Sequence, residues 1–338
     1  MRGGGRDPTR TTLVQEGIKM MNRLVSTIVT ALFLMLPSHA AELPGPGIRV
    51  VTGYAPGGSS DLIARLIANK LTETTGRAFI VENRPGAAGT LALSHVAESA
   101  PDGRTIMLGE NGALVTARAV IANLRHDPQR DLAPITLAAR QTVIATVRPG
   151  YVADFATLVA RVRANPGKVN YGSVGVGNPI HLFGEDLARR TSAEMTHIPY
   201  RGGGPLMTAM LAGEVDMTFF SVAVALPQIT SGKLVPLAVL DKARHPLLPE
   251  VPPASDTVPG FEGSFWFGFH APAATPPDLI EALNKAIVSV LQLPDFKGSL
   301  EAQGFRVEGT TPGAYKAFLA DETKRWLEVA RNAGIVPQ

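Results

Sequence analysis

The sequence predicts an α/β protein of two lobes in a clamshell, each lobe built on βαβ units and the two joined by crossing strands. One observation is length, because 338 residues exceed the roughly 100–200 residues of a usual domain. Another is that a series of strands, glycine-rich loops and helices occurs twice. The third is spacing: 28 residues separate Gly58 from Gly86 in the first copy and Gly175 from Gly203 in the second. Right-handed crossovers arrange each βαβαβ array as a parallel sheet covered by helices.

The first copy begins with the β-branched run IRVVTGY, which indicates a buried strand. The loop APGGSSD follows it, and apolar residues then recur at helical spacing until Gly76 ends the helix. The next elements are the strand AFIVEN, the loop RPGAAGT, a helix that extends through Ala100, and the strand RTIMLG. The first copy is therefore a complete βαβαβ array.

The second copy repeats this order. Its elements are the strand and loop VNYGSVGVGNP, the helix IHLFGEDLARR, the strand MTHIPY, the loop RGGG, the helix PLMTAMLAGE and the strand VDMTFFS. Ligands bind beyond the carboxyl ends of parallel strands, where these loops lie. Two copies therefore predict two crevices that face each other.

Two β-prone stretches, residues 135–147 and 233–240, are expected to cross between the lobes. The C-terminal helices are expected to return to the first lobe, which makes that lobe discontinuous. The predicted domains are an N-terminal extension with a signal peptide (1–40), lobe 1 (41–137 plus 240–338) and lobe 2 (138–239).

Residues 23–40 have the features of a secretory signal: one cation, an apolar core from Leu24 to Leu36 and a Ser-His-Ala ending. Cleavage is expected near Ala40. The apolar core is shorter than the ~20 residues that a membrane-spanning helix needs. We therefore expect the chain to be exported.

Charge and composition exclude several function classes. The first 40 residues hold five basic and two acidic side chains, which leaves 27 of each in the rest of the chain. Without a net positive charge or a basic cluster, binding to nucleic acid is not expected. The histidines show no HExxH or HxH spacing, so no metal site is expected. There is no cysteine, so the fold must be stable without disulfides.

Each glycine-rich loop that opens a helix is a candidate anion site, because the first-turn N–H groups lack partners and the helix dipole is positive there. Alternatively, these glycines only permit tight turns and close packing of helix on sheet. Four loops in two matched pairs favour the ligand crevice. A side chain at Gly57 or Gly58 is then expected to block the approach of an anion.

The sequence contains no convincing catalytic constellation. The loops lack the lysine of a P-loop and the acidic residue of a dinucleotide fingerprint. Ser173 lies in YGSVG rather than the GxSxG of a hydrolase elbow, and His181 has no acid to orient it. Asp61 lies at a helix start, where N-capping is the expected role. We therefore expect neither enzyme activity nor a cofactor.

Six segments carry a family resemblance, in this order: VVTGYAPGGSSDLIARLIANKLTETTG, FIVENRPGAAGTLALSHVAESAPDGRTIMLG, NPGKVNYGSVGVGNPIHLFGEDL, IPYRGGGPLMTAMLAGEVDMTF, LPQITSGKLVPLAVL and FWFGFHAPAATPPDLIEALN. They resemble the Bug-type substrate-binding proteins of tripartite tricarboxylate transporters. The resemblance implies a monomeric type II periplasmic binding protein that closes on a small organic carboxylate and delivers it to a membrane permease. It also implies that backbone amides, small hydroxyls and bridging waters hold the carboxylate.

The resemblance also implies ligand residues at matching positions. Those of the first lobe are Tyr54, Pro56, Gly57, Gly58, Ser59, Asp61, Gly86 and Ala88, with Glu110 or Asn111 after the third strand. Those of the second lobe are Ser173, Gly175, Gly177, Asn178, Tyr200, Arg201, Gly202, Gly203, Ser221 and Val222. Tyr54 and Tyr200 are expected to form walls of the cleft. The sequence departs from the family pattern at Gly53, at Asn178-Pro179 and at Ser221, where an acidic residue is common.

Two other functions remain open from the sequence. A ligand-sensing partner of a membrane sensor kinase would use the same cleft. A hydrolase or isomerase of small acids on the same scaffold would need turnover that depends on Ser173 or Asp61.

Overall fold

The computed structural model describes residues 42–45 and 47–332, so the predicted signal peptide lies outside the described residues. The strands are β1 (Gly47–Thr52), β2 (Ala78–Asn83), β3 (Thr105–Glu110), β4 (Leu132–Val147), β5 (Asn170–Ser173), β6 (Thr196–Pro199), β7 (Met217–Ser221), β8 (Val235–Val239), β9 (Ser264–Pro272) and β10 (Phe305–Val307). The α-helices are α1 (Ser59–Thr75), α2 (Thr90–Ala97), α3 (Ala117–Val120), α4 (Pro128–Asp131), α5 (Phe155–Ala164), α6 (Pro179–Thr191), α7 (Gly203–Ala212), α8 (Val222–Thr230), α9 (Pro277–Leu291), α10 (Pro294–Glu301) and α11 (Pro312–Asn332). Among the described residues, no helix is both long and apolar enough to span a bilayer.

The strands form two sheets that share β4. In lobe 1 the strand order is β2-β1-β3-β9-β4-β10, and in lobe 2 it is β6-β5-β7-β4-β8. Residues 132–142 of β4 pair with β9, whereas residues 143–147 pair with β7. The predicted crossing stretch 135–147 is therefore one continuous strand that belongs to both lobes.

Each lobe contains the predicted βαβαβ array. The strands β1, β2 and β3 are parallel in lobe 1, as are β5, β6 and β7 in lobe 2. One boundary differs from the prediction: α2 ends at Ala97 rather than Ala100. The chain leaves the helix early because Pro101 disfavours a helical conformation in the residue before it.

The second predicted crossing stretch, residues 233–240, contains β8, which pairs with β4 inside lobe 2. The chain then stays on lobe 2: the Val239 N–H donates to the Pro252 carbonyl at 2.9 Å, and the Phe261 ring stacks on Phe155. It enters lobe 1 only where β9 begins. The lobe boundary at residue 240 stays a prediction, and these contacts favour a crossing at residues 262–264.

A buried carboxyl joins the C-terminal helix α11 to the central sheet. Glu322 Oε2 accepts hydrogen bonds from the indole N–H of Trp266 on β9 at 2.8 Å and of Trp326 at 3.0 Å. The Trp326 ring also packs against Phe183 of α6. The helix α11 therefore contacts elements of both lobes.

We expect Glu322→Ala to destabilise the protein. Two buried indole N–H groups would lose their acceptor, and each unsatisfied buried donor costs about 1–3 kcal/mol. Urea unfolding should show the loss, while Glu328→Ala on the exposed side of the same helix should leave the free energy of unfolding within about 0.5 kcal/mol. Equal stability of the two variants would contradict the role of Glu322.

Candidate ligand-binding cleft

A cavity of about 440 Å³, including the part open to solvent, lies between the two lobes. Its lining comes from the carboxyl ends of strands and the first turns of helices in both lobes, as the positions of the predicted loops require. The lining residues are Tyr54, Gly58, Ser59, Ser60, Glu110, Val174, Asn178, Ile180, Gly203, Phe219, Phe220, Ser221, Val224 and Phe265.

Four helices begin at this cavity. They are α1 of lobe 1 and α6, α7 and α8 of lobe 2. Their first-turn N–H groups and dipoles place positive potential at the helix starts. None of the described lining residues is Lys, Arg or His. Attraction for an anion therefore comes from the backbone.

Asn178 connects the two lobes across the cavity. Its Oδ1 accepts a hydrogen bond from Ile180 N at 2.9 Å, which caps the N-terminus of α6. Its Nδ2 donates to the Tyr54 hydroxyl at 2.9 Å and, at 3.4 Å, to Glu110 Oε1 in lobe 1. The Tyr54 hydroxyl in turn donates to the Ala88 carbonyl at 2.9 Å. One side chain thus fixes a helix start and joins it to the opposite lobe.

Two glycine-rich loops approach each other at backbone distance. A Cβ atom added to Gly203 would lie 2.9 Å from the Cα of Gly58, and one added to Gly202 would lie 3.0 Å from the Cβ of Ala55. The loops APGGSSD and RGGG, predicted to face each other, are therefore in contact. The structure is of the closed conformation.

A hydroxyl pair also spans the cleft. Ser59 Oγ and Ser221 Oγ are 2.7 Å apart, and Ser221 Oγ also accepts a hydrogen bond from Val224 N as the N-cap of α8. Both serines line the cavity. They are placed to bond each other or an anion between them.

We expect Ser59→Ala to weaken ligand binding several-fold. The change removes the hydroxyl pair but no helix cap, and one such hydrogen bond contributes about 0.5–1.5 kcal/mol. Calorimetric titration should show the loss, with the exposed Ser289→Ala on α9 as the control that leaves affinity unchanged. Wild-type affinity in Ser59→Ala would show that this hydroxyl does not stabilise the closed, ligand-bound form.

Glu110 is a buried acid in the lining of this cavity. Its Oε2 accepts a hydrogen bond from Ser60 Oγ at 2.7 Å, and no basic group of the described residues lies within ion-pair distance. Burial raises the pKa of Glu110, although hydrogen bonds from Ser60, Tyr54 and Asn178 act in the opposite direction. Its neighbour Asn111, the other candidate at this strand end, instead donates to the Ser264 carbonyl at 3.1 Å.

The structure brings part of the predicted ligand set together. The predicted residues that line the cavity are Tyr54, Gly58, Ser59, Asn178, Gly203 and Ser221. Those outside its lining are Pro56, Gly57, Asp61, Gly86, Ala88, Asn111, Ser173, Gly175, Gly177, Tyr200, Arg201, Gly202 and Val222. Tyr200, predicted as a cleft wall, donates to Glu214 instead, with an oxygen–oxygen distance of 3.3 Å. Ligand contact by any of these residues stays a prediction.

Asp61 has a structural role in this geometry. Its Oδ2 accepts a hydrogen bond from Gly57 N at 3.2 Å, and its Oδ1 contacts Arg65 at 2.8 Å. It therefore bonds an N–H before the helix, as expected, but from the third helical position, because Gly58 occupies the N-cap position. Burial opposes ionisation of Asp61, yet hydrogen bonds from Arg65 and Asn83 lower its pKa below the usual value.

Ser173 is paired with a different histidine from the one the sequence suggested. Its Oγ lies 2.5 Å from His197 Nε2, and the His197 ring stacks on His181 at 4.3 Å. Burial, followed by the proximity of His181, lowers the pKa of His197 to about 4. Ser173 is fully buried and outside the cavity lining. In the described part of the chain, no cluster of three or more His, Asp or Glu side chains is arranged to hold a metal.

Sequence reasoning missed most of the apolar lining. The missed residues are Ser60, Val174, Ile180, Phe219, Phe220, Val224 and Phe265. The signal for Phe219 and Phe220 was present, since they end the third strand of the second array, next to a predicted ligand loop. No local signal exists for Phe265, which β9 brings to the cavity from a distant part of the chain.

Residues 63–335 match the family of tripartite tricarboxylate transporter family receptors, TctC. The chain is 35% identical to the UPF0065 protein in the tcbD-tcbE intergenic region of Pseudomonas sp. (strain P51), covering 85% of this chain and 86% of that protein. It is 32% identical to protein BugT of Bordetella pertussis, covering 93% of this chain and 98% of BugT.

Solved structures agree with this relationship. Rpa4515 of R. palustris with adipate superposes with a TM-score of 0.84 at 32% identity, covering 86% of this chain and 98% of that one. The periplasmic binding protein BugD gives a TM-score of 0.83 at 30% identity, over 87% and 100% of the two chains. MatC of Rhodopseudomonas palustris with bound malate gives 0.80 at 30% identity, over 84% and 98%. The predicted two-lobe fold is confirmed, and the chain belongs to the TctC family of tripartite tricarboxylate transporter receptors.

Proposed function

We propose that this solute-binding receptor captures a small organic carboxylate in the periplasm and delivers it to the membrane permease of a tripartite transporter. The observation that carries the proposal is the convergence of four helix starts, from both lobes, on one cavity without a basic side chain. The relatives crystallised with adipate and with malate support a carboxylate as the ligand class. The family's transporter supports the permease as the partner.

The arrangement explains how an uncharged site holds an anion. Each helix start contributes about 0.3–1 kcal/mol toward a bound anion, and up to about 2 kcal/mol where partly buried. A hydrogen bond to a charged group contributes roughly 1.5–3 kcal/mol. Because α1 belongs to one lobe and α6, α7 and α8 to the other, a carboxylate between them binds the closed conformation more tightly than the open one. That differential affinity drives closure.

We infer binding without turnover. The Ser173–His197 pair is buried beside the cavity rather than in its lining, and Asp61 is engaged in hydrogen bonds at the start of α1. No specific contact favours the hydrolase or the sensor-kinase partner over the transport receptor.

Calorimetric titration of the purified protein with a panel of carboxylates tests the proposal. The panel should include adipate, malate, citrate, aromatic acids and amino acids. A true ligand should bind saturably and raise the unfolding temperature, because ligand at 100 times its Kd stabilises the folded state by about 2.7 kcal/mol. Failure of the whole panel to bind would contradict a carboxylate receptor. Uptake of the identified ligand by cells with and without the gene then tests delivery to a permease.

A further inference from the structure

The buried acid Glu110 lacks a charge partner within the closed cavity. Only 8% of the residue is exposed, and the hydrogen-bond donors that reach it, Ser60 and Asn178, are neutral. A buried carboxylate is strongly destabilising unless a cation or a proton compensates it. A receptor that holds only an anion would gain nothing from such a group, because it repels the ligand.

The hydrogen bonds to Glu110 are those of an ionised carboxylate. Ser60 Oγ donates to Oε2 at 2.7 Å, and Asn178 Nδ2 lies 3.4 Å from Oε1, so each oxygen faces a donor. Ser60 belongs to α1 in lobe 1, whereas Asn178 belongs to the α6 start in lobe 2. Both donors come together only when the lobes are closed. The carboxylate is therefore oriented in the ligand-bound form of the protein.

The rest of the lining separates into two further chemical regions. The starts of α7 and α8, at Gly203 and Ser221, supply positive backbone potential and a hydroxyl. The aromatic rings of Phe219, Phe220 and Phe265 supply an apolar wall. One cavity thus offers a site for an anion, a site for a cation and an apolar surface.

We propose that Glu110 binds the ammonium group of a zwitterionic ligand, and that the preferred ligand is an amino acid with an apolar or aromatic side chain. Its carboxylate lies at the helix starts and its side chain lies against the three phenylalanines. This inference rests on the proposed receptor function and specifies its substrate class. It gives Glu110 the cation that the protein itself does not provide.

The test compares ligands that differ only in the ammonium group. L-Phenylalanine and 3-phenylpropionate form one pair, and L-leucine and 4-methylpentanoate form a second pair with an aliphatic body. Calorimetric titration at pH 7 should show that the wild-type protein binds at least one amino acid about 10- to 100-fold more tightly than its deamino partner, as a charge-assisted hydrogen bond predicts. Glu110→Gln should reduce that ratio to about threefold or less.

Glu194→Gln, the same chemical change at an exposed position, is the matched control and should keep the wild-type ratio. If Glu110→Gln does not fold, the wild-type comparison still decides the question, and Ser60→Ala offers a second variant that removes one hydrogen bond to Glu110 and should lower the ratio. Deamino acids that bind the wild-type protein as tightly as the amino acids would overturn this inference and leave the carboxylate receptor intact. Absence of binding by both pairs and by the carboxylate panel would overturn the receptor function and this inference together.

Discussion

Gly203→Val should abolish ligand-induced closure while leaving both lobes folded. The Cβ of residue 203 would lie 2.9 Å from the Cα of Gly58 in the opposite lobe, and every heavy atom within 4 Å of it belongs to Gly58. The side chain therefore collides with lobe 1 in the closed form and with nothing in its own lobe. We expect affinity to fall at least ~100-fold, because apparent affinity scales with the population of the binding-competent state.

Small-angle scattering with and without ligand measures closure, and calorimetric titration measures affinity. The control is Gly298→Ala in α10, where an added Cβ has no heavy atom within 4 Å. This control should close normally and gain up to about 1 kcal/mol of stability from the better helix propensity of alanine. Normal closure of Gly203→Val would mean that the loops APGGSSD and RGGG do not meet in the ligand-bound protein.

Asn178→Asp should uncouple the lobes without harming the helix that residue 178 caps. Aspartate caps a helix as well as asparagine does, so the bond to Ile180 N is retained. The donor to the Tyr54 hydroxyl is lost, and a new carboxylate faces Glu110 at the position of a former 3.4 Å hydrogen bond. We expect the closed state to lose about 2–4 kcal/mol at pH 7 from the lost hydrogen bonds and the repulsion.

The pH dependence of this variant provides a second measurement. Two adjacent carboxylates raise the pKa of one of them, so a fall in pH adds a proton that removes the repulsion. The affinity of Asn178→Asp should therefore recover in part as the pH falls. Asn178→Ser, which keeps a capping oxygen but adds no charge, should show a smaller loss that does not depend on pH in this way. Identical behaviour of the two variants would contradict the contact with Glu110.

The helices and strands of the repeated arrays could be predicted because local chemistry specifies them. The helix α1 ends at Gly76, which adopts the left-handed conformation that glycine favours, as the pattern indicated. The boundary that the sequence suggested at residue 240 is less secure, because the residues that follow β8 pack on lobe 2 through non-local contacts such as Phe155 with Phe261. Such a contact joins segments far apart in the chain and leaves no periodic signal.

The candidate site shows the same division. Tyr54, Ser59, Asn178 and Ser221 follow strand ends and open helices, so their place in the cleft was predictable from topology. The choice between Glu110 and Asn111 was not, because adjacent residues at a strand end point in opposite directions and the register of β3 against β9 decides which one faces the cavity.

The sequence by itself determined the repeated βαβαβ arrays, the glycine-rich loops and the absence of cysteine, because these depend on residue type and short-range spacing. Only the tertiary structure decided that Gly203 meets Gly58, that Asn178 reaches Tyr54, and that Glu110 lies without a charge partner among phenylalanines. The physical reason is that these contacts join the two lobes, whose relative position is set by the shared strand β4 and by closure rather than by any local preference of the chain.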